Sequence, residues 1–331
     1  VPEKYGGAGM DATAAAIALE EIAFGDGATS TIISVNNSPV CAILLAWANE
    51  AQKQKYLVPL AQGQMLGAFC LTEPHVGSDA SGLRTSAVRE GDHWVLNGVK
   101  QFITSGKTAD VAIVMAVTDK AAGKRGISAF IVETKTPGYV VARLEDKMGQ
   151  HASDTAQILF ENCRVPSENL IGEEGAGYKI ALAGLEGGRI GIASQALGLA
   201  RAAYEATLAY VKESKAFGQP IGAFQMTQAK IADMKCKLDA AMLLTLRAAW
   251  QKGEFEKGGA RFGNEAAIAK LTASEAAMWI THQAVQIHGG MGYSKEMPLE
   301  RYFRDAKITE IYEGTSEIQR LVIARNETGL R

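Results

Sequence analysis

Glycines, hydroxyls and carboxylates gather at four places in the chain. The first is Phe69-Cys-Leu-Thr-Glu-Pro-His-Val-Gly-Ser-Asp79. Here an apolar run delivers Thr72 and Glu73, Pro74 stops it, and Gly77 permits a tight turn presenting Ser78 and its amide. Such a turn can offer several donors to an anion or a heterocycle; an ordinary polar loop has the same composition. The second is Gln101-Phe-Ile-Thr-Ser-Gly106, where Phe102 fits core and Thr104 fits a strand-edge hydroxyl. The third, Gln286-Ile-His-Gly-Gly-Met-Gly-Tyr293, ends a helix with three glycines in four residues. A helix cap accounts for one of them; the others let a backbone or a ligand approach closely. The fourth is Thr309-Glu-Ile-Tyr-Glu-Gly-Thr-Ser-Glu-Ile-Gln-Arg320. Glu310, Glu313 and Glu317 have the spacing of a solvated helical face. Gly314 breaks that stripe, and Thr315 and Ser316 look like caps of a new helix. Glu313 then falls at a break between elements, where a carboxylate can point into a cavity.

Other chemistries lack their residues. Gly106-Lys107-Thr108 resembles the end of a phosphate loop, but Gln101 stands where the motif needs its first glycine. No G-x-G-x-x-G follows a strand and no G-x-S-x-G is present. His75, His93, His151, His282 and His288 show no zinc spacing, so no metal site is expected. Cys41, Cys70, Cys163 and Cys236 lie far apart among apolar neighbours and read as buried, reduced thiols.

The elements that must position these clusters change character twice. Residues 11–61 are Ala-rich with helical spacing, predicting helices over 14–24 and 39–47 and a short turn over 50–60. Residues 67–72, 93–98, 111–117, 127–132 and 155–160 are short apolar segments separated by turn residues such as Glu90-Gly91-Asp92. That spacing predicts a small antiparallel barrel or sandwich. From Gly175 the period is helical again. A long helix over 178–210 is expected to break near Gly187-Gly188. Another over 224–250 carries a core stripe of Phe224, Gln228, Ile231, Leu238, Met242 and Thr245. Helices over 264–287 and 316–325 complete a four-helix bundle. The division is thus residues 1–66, N-terminal helices; 67–170, a central β domain; and 171–331, a helical bundle: an α+β multidomain chain.

Composition is that of an ordinary globular chain. Of 331 residues 47% are hydrophobic and 21% charged, with 34 Lys and Arg against 36 Asp and Glu. A net charge of −2 gives no footprint for nucleic acid or anionic membrane. The longest apolar run, residues 40–48, is well short of the ~20 residues a membrane span needs. Val1 is not a start methionine, so the expected beginning of the chain is a trimmed one.

In this order, on a helix–β–helix chain, the four clusters resemble the acyl-CoA dehydrogenase family of flavoproteins. Val1-Pro-Glu-Lys-Tyr-Gly-Gly-Ala-Gly-Met10, Glu161-Asn-Cys-Arg-Val-Pro166 and Gly188-Arg-Ile-Gly-Ile-Ala193 fit as well. The match runs over essentially the whole chain, and motifs that are weak singly are specific in register. Family members carry more helix before this opening, so the resemblance implies an N-terminally incomplete member. It implies FAD between the β domain and the bundle. Phe69, Leu71, Thr72, Phe102, Ile103 and Thr104 would border the isoalloxazine, with Phe102 where many relatives have Trp. Gly77, Ser78, Phe217, Thr315, Ser316 and Glu317 would also hold the cofactor, and Gln286, Gly289 and Gly290 would meet that of a neighbouring subunit. Ser78, Glu186 and Arg189 would contact the acyl-CoA, and Tyr293 and Gly314 would line its acyl pocket. Gln225 resembles one more cofactor neighbour.

Two positions depart from the family pattern. Relatives commonly place Arg three residues before the Phe217-Gly218 pair, to bind the FAD pyrophosphate; here that residue is Ser214. Lys212 or Lys215 would have to compensate, as point charges without the bidentate fork. Some relatives place the catalytic base immediately before the Arg of the G-R-I-G stretch, and Gly188 there has no side chain. Glu186 is the runner-up base and Glu313 the preferred one.

The implied chemistry makes sense of Glu313. Desaturating a thioester needs a base for the α-proton, a hydride acceptor on the opposite face and donors for the developing enolate. A free Glu, with a pKa of ~4.3, is a weak base in water, and burial raises it. Glu313 would take the α-proton and flavin N5 the β-hydride, giving the trans-2-enoyl-CoA. Electrons would pass to an electron-transfer flavoprotein, as in fatty acid β-oxidation. The I-Y-E-G-T-S-E-I-Q-R and G-R-I-G-I-A-S-Q-A-L-G stretches look most like short-chain and short-branched members. Arg84 and Arg189 are the candidates for a second acyl carboxylate. Alternatives are the enoyl-CoA reductase direction, an oxygen-reacting relative and a non-catalytic relative. The family also implies a homotetramer, a dimer of dimers. Bacterial cytoplasm is favoured over mitochondrial matrix.

Overall fold

The computed structural model describes residues 1–330. Near the N-terminus run α1 (Ala12–Gly25), α2 (Gly27–Val35) and α3 (Ala42–Trp47). Asp11 caps α1 by accepting from the Ala14 amide at 2.8 Å. The α2 helix is absent from the sequence expectation, because Gly-Ala-Thr-Ser-Thr is a poor helix-forming run on its own. The stretch Gly27–Trp47 is long and apolar enough to cross a membrane by length and composition. It is broken at Ser38, whose φ of −145° and ψ of 110° are not helical. Val40, Cys41, Ile43 and Leu44 beyond the break are buried in a protein core.

The strands of the large sheet are β1 (Gly67–Cys70), β2 (Ser86–Glu90), β3 (His93–Thr104), β4 (Val111–Val117), β5 (Ile127–Glu133), β6 (Tyr139–Leu144), β7 (Thr155–Pro166) and β8 (Leu170–Ile171); Lys215–Ala216 and Gln219–Pro220 pair separately. The large sheet has the order β6-β7-β3-β2-β4-β5-β8, with β1 pairing to β4. This is an open sheet and not a closed barrel. It is also mixed, since β1 and β2 both pair with β4 in parallel. Strands β4 and β5 are buried along almost their whole length, hence their continuous apolar runs. Strands β2, β6 and β8 are not among the expected segments; β6 is largely exposed and has no such run to reveal it.

The helices of the second half are α4 (Gly177–Glu213), α5 (Gln225–Glu256), α6 (Gly263–His288), α7 (Leu299–Lys307) and α8 (Ser316–Thr328). No break occurs at Gly187-Gly188. Two helix-interior glycines cost ~1 kcal/mol each, and buried Ile180, Ala181, Ile190, Ile192 and Ala193 on either side hold the helix continuous. On α5 the buried stripe is Met234, Leu238, Ala241, Thr245, Ala248 and Ala249, while Gln228 is exposed. Cys236 is also exposed, two residues and about 200° round the helix from Met234. The other three thiols are buried.

Compactness divides the chain differently from its linear order. One unit comprises Val1–Met10, Ile32–Asp146 and Ala152–Gly188; the other comprises Asp11–Thr31, Lys147–His151 and the chain from Arg189 onward. In the second unit α1 joins the bundle: Ala16 lies in the same core cluster as residues of α4, α5 and α6.

Candidate active site

In the sheet-bearing unit, the first two sequence clusters meet. The Gln101 amide donates to the Thr72 carbonyl at 2.8 Å, laying the chain after β1 against β3. The β3–β7 register shifts between Lys100 and Ile103. In that bulge Phe102 takes a φ of 57°, and its side chain is 62% exposed. Phe102 is therefore no core residue: backbone strain there holds an aromatic ring outward. Thr72, Phe69 and Thr104 are half-buried, whereas Leu71 and Ile103 lie in the core.

Beyond Thr72 the chain is folded back by Glu73. Its carboxylate accepts the Arg84 amide at 2.8 Å and the Thr85 amide at 3.0 Å, and it meets Lys100 Nζ at 2.9 Å. Lys100 also donates to the Leu71 carbonyl at 3.0 Å. This clamp closes the loop that presents Gly77 and Ser78, both exposed. Gly77 is not in the left-handed region, and a Cβ built on it would meet open space, so the turn itself does not demand glycine there. Neither Glu73 as an anchor nor Lys100 was anticipated. The signal for Lys100 is a lysine at an otherwise inward position of a strand.

The bundle unit holds the last two clusters. Glu313 and Gly314 form a left-handed turn, with φ of 55° and 90°. Three hydrogen bonds from two donors pin it. Lys270 Nζ donates to the Gly314 carbonyl at 2.8 Å, and Gln319 Nε2 donates to the carbonyls of Glu313 at 3.1 Å and Gly314 at 2.9 Å. A Cβ on Gly314 would lie 2.6 Å from Gln319 Nε2, so glycine is what this clamp admits. Glu313 Oε2 is buried with no hydrogen-bond partner. Burial pushes its pKa up to about 8, against the opposing charges of Arg189 and Lys270. The acidic stripe is thus split: Glu310 pairs with Lys307, Glu317 is exposed, and Glu313 is desolvated. Of the neighbours, Thr315 caps α8 by accepting from the Ile318 amide at 3.4 Å. Ser316 Oγ is buried without a partner.

Tyr312, next to Glu313, is tied into a polar chain. Its hydroxyl donates to Gln195 Oε1. Gln195 Nε2 donates to Thr31 Oγ1 and to the Gly27 carbonyl at 2.7 Å. Thr31 Oγ1 donates to Gln150 Oε1 at 2.9 Å, and Gln150 Nε2 donates to the Asp305 carbonyl at 3.1 Å. These partners come from remote parts of the chain, so no local spacing could announce them.

The remaining predicted residues differ in exposure, and of them Arg189 acts on Glu313 through its charge. Gln286, Gly289 and Gly290 are exposed, and a Cβ on either glycine would meet open space. Tyr293 is 84% exposed and lines an open hollow of about 710 Å³ with His151, His282, Phe303 and Arg304, a hollow that Glu313 does not line. Phe217 is 96% exposed at a φ of 50°. Glu186 and Arg189 are half-buried on α4, and Gln225 and Arg84 are exposed.

Each unit, taken alone, fits a flavin. The sheet-bearing unit offers an outward aromatic ring beside a half-buried threonine, suited to a planar heterocycle. The bundle unit offers an orphaned Ser316 hydroxyl and the open Gly289-Gly290 backbone, suited to polar groups of a dinucleotide.

Three family models match the chain: acyl-CoA dehydrogenase N-terminal domain over residues 1–64, middle domain over 68–163, and C-terminal domain over 175–328. The chain is 52% identical over 324 residues to the mitochondrial short-chain specific acyl-CoA dehydrogenase of Rattus norvegicus, covering 98% of this chain and 78% of that protein. It superposes on butyryl-CoA dehydrogenase from Megasphaera elsdenii with a TM-score of 0.96 and 48% identity, over 98% of this chain and 85% of the other. A chain solved in work on the electron transferring flavoprotein of Acidaminococcus fermentans matches with a TM-score of 0.97 and 49% identity, over 99% and 85%.

Proposed function

Because the chain belongs to the acyl-CoA dehydrogenase family of oxidoreductases, we propose that it desaturates a short-chain or short-branched acyl-CoA between its α and β carbons. Glu313 removes the α-proton. The observation that carries this reading is its carboxyl: Oε2 is buried with no hydrogen-bond partner, and burial pushes the pKa up to about 8. A base poised near the working pH combines adequate charge with adequate proton affinity. The left-handed turn holds the backbone of that base still, as proton abstraction requires.

FAD is the proposed cofactor and supplies the two-electron acceptor for the β-hydride. Phe102, Thr72 and Thr104 would border its ring; Gly77, Ser78, Phe217, Thr315, Ser316 and Glu317 would hold the rest, with Gln286, Gly289 and Gly290 serving a neighbouring subunit. Arg189, Glu186 and Ser78 would orient the thioester. A flavin shared between subunits needs at least a dimer, and a homotetramer is the proposed assembly. Electron-transfer flavoprotein is the proposed acceptor, a reading supported by the likeness to the Acidaminococcus chain. The names of the similar proteins support short substrates.

The test is anaerobic titration of the flavin-loaded protein with acyl-CoAs of increasing length and branching. Butyryl-CoA or a short branched acyl-CoA is expected to bleach the flavin band. A loaded protein that no acyl-CoA bleaches, or one that cannot be reconstituted with FAD, overturns the reading.

A further inference from the structure

Helix α6 is lined by small residues on its buried face: Ala266, Ala269, Ala273, Ala276 and Ala277. Lys270 sits inside this face, four residues after Ala266 and three before Ala273, and is fully buried. A lysine is among the costliest residues to place there, because its ammonium gives up water. Its Nζ has one hydrogen-bond acceptor, the Gly314 carbonyl at 2.8 Å, and that carbonyl follows Glu313 directly. The same carbonyl receives Gln319 Nε2.

We propose that Lys270 is a positioning residue for the base: with Gln319 it locks the left-handed Glu313–Gly314 turn from which the carboxyl projects. The proposal rests on the reading of Glu313 as the base. Two features of the turn call for such a lock. Glu313 occupies a backbone region that costs a non-glycine residue ~1–3 kcal/mol unless its surroundings impose it. The Glu313 carboxyl itself makes no hydrogen bond through Oε2, so its placement depends on the backbone beneath it.

The charges around the turn act in the same sense. The groups acting on Glu313 are Arg189 from α4 and Lys270 from α6, both opposing the effect of burial. Those acting on Lys270 are Glu313, Glu310 and Glu317, which favour its charge, and Arg189, which disfavours it; burial outweighs them and brings it down to about 8. Removing the lysine charge therefore leaves Glu313 harder to ionise. Its proton would come off at higher pH.

The experiment uses the flavin-loaded enzyme and reads proton abstraction separately from oxidation. The probe is methylthioacetyl-CoA, whose β position is sulfur and carries no hydride to lose. Exchange of its α-protons with deuterated water is followed by NMR as a function of pH, alongside kcat and KM for butyryl-CoA. Lys270→Met is expected to slow exchange and kcat roughly 100-fold, the scale of a misplaced general base, with KM changed less than about 3-fold. The acid limb of the profile moves to higher pH. Lys270→Gln, which keeps a donor for the Gly314 carbonyl but drops the charge, moves the limb while retaining more of the rate. Should Lys270→Met fail to fold, Lys270→Gln carries the test alone. A variant with wild-type rate and an unmoved limb overturns the proposal. Glu313→Gln separates the two readings: if it still exchanges α-protons, the base assignment itself is wrong, whereas its loss beside an unaffected Lys270 variant removes only the role of Lys270.

Discussion

Lys100 and Glu73 meet as an ion pair inside the sheet-bearing unit, Nζ to Oε1 at 2.9 Å, with side chains 0% and 2% exposed. The carboxylate is also the acceptor for two backbone amides, so the pair fixes the loop that carries Ser78 and not merely two side chains. Burial pushes the Glu73 carboxyl up, but the Lys100 ammonium and the hydrogen bonds from its donors together hold it below its usual value.

Breaking this pair should be costly. Lys100→Met leaves a desolvated carboxylate and is expected to cost about 3–5 kcal/mol. Adding Glu73→Gln should recover a good part of that while leaving the loop less ordered. Urea unfolding of both variants checks this; equal stabilities of wild type and Lys100→Met would show that the pair holds nothing. The sign with pH follows from the lowered carboxyl: its contribution is present above the unfolded value of ~4.3 and is lost as pH falls through the lower folded value.

Phe102 trades stability for exposure. Its left-handed φ of 57° is strained for a bulky residue with a Cβ, and its ring buries little. Phe102→Gly relieves the strain, partly offset by the entropy of glycine, for a net gain of about 0.5–1 kcal/mol. Flavin retention on dialysis should fall in the same variant. A less stable Phe102→Gly protein, by urea midpoint, would place Phe102 in the core role that composition alone allows.

Local pattern revealed what local physics dictates. The runs of β4 and β5 are apolar because both faces are covered, and the expected segments coincide with them closely. The break at Gly314 was legible because glycine there interrupts a helical spacing of glutamates. The open course of the sheet was not legible, since its parallel β1–β4 and β2–β4 pairings are long-range choices that no turn residue records. Nor was the continuity of α4 through Gly187-Gly188, where burial on both sides overrides propensity. Lys270 and Gln195 escaped for a related reason: each acts on the 312–314 turn from a helix far away in sequence. Gly77 shows the converse, a suggestive glycine whose backbone does not require it.

Glu313 should be both the rate-setting and a destabilising residue. Activity is expected to rise with pH through about 8 as the base ionises. A carboxyl whose folded value exceeds its unfolded one stabilises below the unfolded value of ~4.3, and that stability is lost as pH rises through the folded value. Glu313→Gln removes the titration. It should reduce turnover at least ~1000-fold, and it should be more stable than wild type at pH 9 but no more so at pH 5. Stopped-flow flavin reduction and urea unfolding at the two pH values check both halves. A variant that keeps its turnover refutes the first, and equal stability differences at pH 5 and 9 refute the second.

His288 should make the bundle acid-sensitive. At the end of α6 its ring stacks on Tyr210 with centroids 4.2 Å apart, and its Nδ1 lies 2.7 Å from the Ala284 carbonyl. Nε2 is buried without a partner, so the neutral ring with its proton on Nδ1 suits the site. Burial lowers the His288 pKa, opposed by that one backbone hydrogen bond. The unfolded chain then binds a proton at ~6.5 that the folded chain refuses until lower pH. Stability is therefore fully present above ~6.5 and is lost as pH falls through the folded value. His288→Phe keeps an aromatic stack and removes both the orphaned nitrogen and the titration. It should gain about 1–2 kcal/mol at pH 5.5 from the missing unsatisfied group, and its stability should change less between pH 7.5 and 5.5 than that of the wild type. Urea unfolding at both values decides the matter: parallel losses in the two proteins would mean that His288 does not carry the acid sensitivity and that Nε2 finds a proton partner in solution.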